Sequence, residues 1–99
     1  MTLSPTAKTA LAACYATRGK HKGQLLAKCP KSTTLAAAAW QGAMLVCNPY
    51  HASISACLFA SPEQRAVRDE IIAHFEAMPK AYLIMAERNR EALEELGVW

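Results

Sequence analysis

Ninety-nine residues, 53% of them hydrophobic and 19% charged, suffice for one domain with a limited core and are too apolar for a disordered chain. A net charge of +3 and a pI near 8.8 fall short of what a dedicated DNA-binding domain carries. Residues 1–62 hold Lys8, Arg18, Lys20, Lys22, Lys28 and Lys31 without one carboxylate, and the rest sets five cations against eight acidic residues, an imbalance that speaks to partners rather than to fold.

Ser4-Pro5, Asn48-Pro49 and Ser61-Pro62 each place a capping side chain before a proline, which suits the N-cap and first position of a helix. The first helix is expected over Pro5–Arg18, with Ala7, Ala10, Leu11, Cys14 and Tyr15 on one face and Gly19 as its stop. A short basic segment, Lys20–Lys28, follows and is closed by Pro30. Ser32 or Thr33 then caps a helix to Cys47, apolar nearly all round and therefore central to the fold or part of an oligomer interface, with Trp40 as its main core filler.

Residues 48–60 alternate small polar and apolar residues as a strand would, but no second convincing strand is offered for pairing, so a short helix is expected there. Pro62–Met78 reads as an amphipathic helix with Val67, Ile71, His74, Phe75 and Met78 inward, and Ser61 with Gln64 fits a capping box. Pro79 ends it. The last helix, Lys80–Leu96, packs Tyr82, Met85, Ala86, Leu93 and Leu96, and Gly97 brings Val98 onto Leu93 in a Schellman arrangement. The expectation is a compact, oligomeric, all-α single domain over residues 1–99, with about five short helices.

Ser32–Pro62 lacks formal charge, but its apolar stretches are broken by Gln41 and by Asn48–His51, short of the roughly 20 residues that span a membrane. A membrane-active protein is the most distant reading. Met1–Pro5 has neither a basic nor a long apolar stretch of a leader, which points to the cytoplasm and to reduced cysteines, although Cys14, Cys29, Cys47 and Cys57 could also close two disulfides.

No catalytic, metal or cofactor motif is expected. His21, His51 and His74 show no ligand spacing with one another or with the cysteines, and Cys47 with His51 lacks a nearby carboxylate to orient it. Gly19-Lys20-His21-Lys22-Gly23 lacks the pattern of a nucleotide-hydrolysing phosphate loop. A helix-turn-helix over residues 20–47 would have only Gln41 with which to read base edges.

The candidate site is therefore the basic patch of Arg18, Lys20, His21, Lys22, Lys28 and Lys31, suited to phosphate or to acidic protein. Glu91, Glu94 and Glu95 sit at a helix C-terminus, the wrong end for anions, and Glu87–Glu91 and Glu91–Glu95 are like-charge pairs one turn apart. That violation is explained if these carboxylates face the basic half, within the chain or across an oligomer interface. Trp99 is a second candidate interface residue, an aromatic beyond the helix stop.

A motif-poor, alanine-rich helical chain of this size resembles the small inhibitors that bacteriophages and mobile elements direct at host nucleases and defence systems, among them anti-CRISPR proteins and inhibitors of recombination nucleases. That resemblance implies a non-enzymatic protein without cofactors, docked in the host cytoplasm on a large protein or nucleoprotein complex with an acidic surface. Cys29-Pro30-Lys31-Ser32 followed by an alanine-rich helix ending near Asn48 resembles phage proteins that sequester cyclic oligonucleotides, though the spacing to the asparagine departs from that pattern. It implies a phosphate-bearing nucleotide as the alternative ligand, beside non-specific nucleic acid.

Overall fold

The computed structural model describes residues 3–48 and 61–95, with the side chains of residues 92 and 93 excepted. Its regular structure over these residues is helical: α1 (Pro5–Ala12), α2 (Leu35–Cys47), α3 (Pro62–Glu76), α4 (Lys80–Arg88) and α5 (Arg90–Glu95). Of the five helices expected, the one over residues 48–60 lies outside the described residues except for Asn48, which caps the C-terminus of α2, and Trp99 and the Gly97 stop lie outside them too. The other four are present, and the last is divided in two.

Proline and its capping neighbour start α1 and α3 as their chemistry requires. Ser4 Oγ accepts from Ala7 N at 3.2 Å, and Ser61 Oγ accepts from Glu63 N and Gln64 N at 3.2 and 3.5 Å. Two further contacts tie these helix starts into the fold. The Glu70 carboxylate on α3 accepts from both Ser4 N (2.6 Å) and Ser4 Oγ (2.8 Å), which pins the start of α1 to α3. Gln64 Nε2 donates outward to Ser32 O and Thr34 O at 2.8 and 3.0 Å, holding the approach to α2. The cap of α2 is Thr34 rather than Ser32 or Thr33, because its Oγ1 both accepts from Ala37 N (3.2 Å) and donates to Lys31 O (2.7 Å).

Helix α2 runs through the centre, with Ala37–Met44 buried without interruption. Its small residues allow close approach: a Cβ on Gly42 would lie 2.8 Å from Arg68 O and 3.2 Å from Ile71 Cβ on α3. Trp40, Phe75, Leu11, Ile71 and Cys14 are the largest fully buried side chains, joined in one core with Tyr15, Met44, Val67 and Ala86. His74 is buried beside Phe75, with ring centroids 5.9 Å apart.

Two expected helices are corrected. α1 stops at Ala12, not Arg18. Cys14–Ala16 instead pairs with residues 23–26 as a short antiparallel ribbon: Leu26 N donates to Cys14 O (2.9 Å), Ala16 N to Gln24 O (3.0 Å) and Gly23 N to Ala16 O (2.9 Å). Gly23, at φ 83, sets two residues against one in a bulge that needs the left-handed region, and Gly19, at φ 86, serves the turn rather than a helix stop. The helix expected over Lys80–Leu96 breaks at Asn89 because the ribbon takes its backbone groups. Leu25 N donates to Glu87 O (2.8 Å) and Arg90 N to Gly23 O (2.9 Å), so the chain leaves the helical ladder and restarts as α5.

Candidate binding surface

The ribbon owes its position to two buried anchors. Tyr15, 3% exposed, donates its hydroxyl to Ala86 O near the end of α4, and Trp40 Nε1 donates to Leu26 O at 2.8 Å. Burial, with the nearby Cys47 and Cys14 thiols adding to it, pushes the Tyr15 phenol above its ordinary range, so it acts as a fixed neutral donor. With both rings locked in the core, the far end of the ribbon projects outward.

Arg18, Lys20, His21 and Lys22 occupy that far end, and Lys28 and Lys31 follow on the run leading to α2; all six are exposed. His21 Nδ1 lies 3.3 Å from Gln24 Oε1 across the turn. The basic patch thus consists of side chains in water carried on a backbone fixed at its base, the arrangement of a contact surface rather than of a closed site.

The acidic end of the chain reaches the same place. Lys22 Nζ stands 3.9 Å from Glu91 Oε1, both side chains more than 60% exposed, and Arg90 pairs with Glu94 at 3.8 Å. The break at Asn89 corrects the expectation for Glu91: it lies in the first turn of α5, the end that suits an anion, and it faces a lysine of the basic half within one chain. Glu95 is exposed and Trp99 lies outside the described residues. Between ribbon and α5, a small pocket of about 110 Å³ is lined by Tyr15, Ala16, Thr17, Lys22, Gly23, Arg90 and Glu91. Arg90 and Thr17 escaped sequence reasoning, since nothing in their neighbourhood announces the break at Asn89 that carries Arg90 to the ribbon.

Other candidate chemistry falls away from this surface. Gln41, the residue that a base-reading helix would have to use, is 5% exposed inside the core, and its Oε1 has no partner among the described residues. Burial pushes the Cys14 thiol up to about 12, helped by the charge of Cys29 and opposed by a backbone hydrogen bond from Trp40, and burial with Glu87 does the same for Cys47. Among the described residues no cluster of His, Cys, Asp and Glu could hold a metal ion, and no helix is long and apolar enough to cross a membrane. The chain matches no protein-family model, no curated protein and no solved structure.

Proposed function

We propose that the chain is a small non-enzymatic binding protein that docks its basic ribbon on an acidic surface of a larger protein, in the manner of a phage-type inhibitor of a host nucleic-acid-processing or defence complex. The observation that carries this reading is the exposed set Arg18, Lys20, His21, Lys22, Lys28 and Lys31, borne on a turn and its following loop whose base is held in the core by Tyr15 and Trp40. Exposed cations steer association and set specificity through complementary charge. The burial of Gln41 favours an acidic protein over base-edge recognition of DNA. The same face accepts phosphate in the second reading, which the exposed Arg18, a bidentate donor, favours.

Affinity capture with the tagged chain, run beside a Lys20→Gln, Lys28→Gln, Lys31→Gln variant, tests the reading. One large protein retained by the wild type and lost by the variant is the expected outcome. Equal retention by both would remove the basic ribbon from the account.

A further inference from the structure

We infer that the groove between the starts of α1 and α3 receives the basic ribbon of a second copy of this chain, so that copies associate head to tail. The inference goes beyond the proposed docking function, which stands whether or not copies associate.

The groove, of about 350 Å³, is lined by Ser4, Thr6, Glu63, Ala66, Val67 and Glu70. These side chains include two carboxylates and no cation. Glu70 accepts from the Ser4 amide and hydroxyl at 2.6 and 2.8 Å, neutral donors that leave its charge in place. Glu63 is exposed and makes no ion pair among the described residues. Between the two, Ala66 and Val67 give a low apolar floor, over which the stem of a lysine or arginine lies while its charged head meets a carboxylate.

Spacing selects the occupant. Glu63 and Glu70 are seven residues apart on one helix, roughly 10 Å along its axis, a span that suits two cations carried on one strip of backbone. The ribbon supplies such a pair. Arg18 and Lys20 are exposed at its far end, two residues apart, and neither pairs with a carboxylate among the described residues. Lys22, engaged by Glu91, takes no part.

One chain does not close this contact on itself. Ser4 and Thr6 place the groove at the start of α1, whereas the ribbon begins at Cys14, beyond the other end of that helix and roughly 12 Å away. The ribbon's base is fixed by the Tyr15 hydroxyl on Ala86 O and by Leu25 N on Glu87 O, which keeps it from swinging back. The two complementary poles therefore meet between copies. At a net charge of +3 two copies repel as wholes, and association depends on turning opposite charges toward each other. A contact between unlike surfaces leaves one ribbon and one groove open on every pair, so it extends into chains or closes as a ring.

Sedimentation velocity of the whole chain, over a concentration series up to millimolar and at low and high salt, tests this. The mean mass should rise with concentration at low salt and return toward that of the monomer at high salt. Glu63→Lys, and separately the double variant Arg18→Glu, Lys20→Glu, should each weaken self-association at least about fivefold. An equimolar mixture of the two should associate again, because the first keeps the ribbon and the second keeps the groove. Ala66→Arg fills the groove with a cation while leaving the first turn of α3 and the Glu70 contact to α1 untouched, and it should behave as Glu63→Lys does. A wild type that stays monomeric throughout, variants that associate as the wild type does, or a mixture that remains monomeric would overturn the head-to-tail contact.

Discussion

Gly42 sets the distance between the two central helices, because any side chain there meets the Arg68 carbonyl at 2.8 Å, closer than a carbon and an oxygen tolerate. Backbone cannot swing aside as a long side chain can, so the Gly42→Ala variant should lose about 1–3 kcal/mol in denaturant unfolding; an unchanged midpoint would mean that α2 and α3 are further apart than described. The buried thiols give a second residue-scale prediction. With Cys14 and Cys47 each raised from 9.0 to about 12, the folded protein keeps them protonated where the unfolded chain would ionise. Their stabilising contribution is whole below pH 9.0 and is lost as the pH rises toward about 12. At pH 8 only roughly one such thiol in ten thousand is ionised, so peptide mapping after iodoacetamide treatment should find both unmodified in native protein and modified in urea.

At the scale of elements, the ribbon is the feature that reorganises what the helices offer. The final carbonyls of any helix lack intrahelical partners, and at the end of α4 two of them are taken up by tertiary contacts, the Tyr15 hydroxyl on Ala86 O and Leu25 N on Glu87 O, while the C-cap Asn89 N closes the last helical bond on Met85 O. Tyr15→Phe keeps the ring and strands the Ala86 carbonyl, which should cost about 1–3 kcal/mol and speed amide exchange at Leu25 and Arg90 before the core amides. Uniform exchange with unchanged stability would contradict the anchor.

These contacts also explain what could be read from the chain. The starts of α1 and α3 were legible because Ser-Pro encodes a cap locally, and the burial of Ala37–Met44 followed from a helix with no polar face. The stop at Ala12 and the break at Asn89 were not legible. Each is decided by a partner far along the chain, Leu26 for Cys14 and Gly23 for Arg90, and the paired segments are too short to show a strand's alternation. The six basic residues of the surface were visible as a charge run; the pocket was not, since it depends on that same break.

Across the whole molecule, the fold partly reconciles the charge imbalance. It brings Glu91 to Lys22 and leaves Arg18, Lys20, Lys28 and Lys31 exposed, so a self-neutralised edge adjoins a cationic one. Long-range attraction from such an edge is screened over about 8 Å at physiological ionic strength, and its binding must therefore depend on salt. The direct measurement is the affinity of the wild type and of the Lys20→Gln, Lys28→Gln, Lys31→Gln variant for poly-L-glutamate across a salt series. Wild-type affinity that falls steeply with salt, and a variant at least about tenfold weaker at low salt with a flatter dependence, is the predicted result. Equal affinities with the same salt dependence would contradict the claim that this surface is where the protein binds.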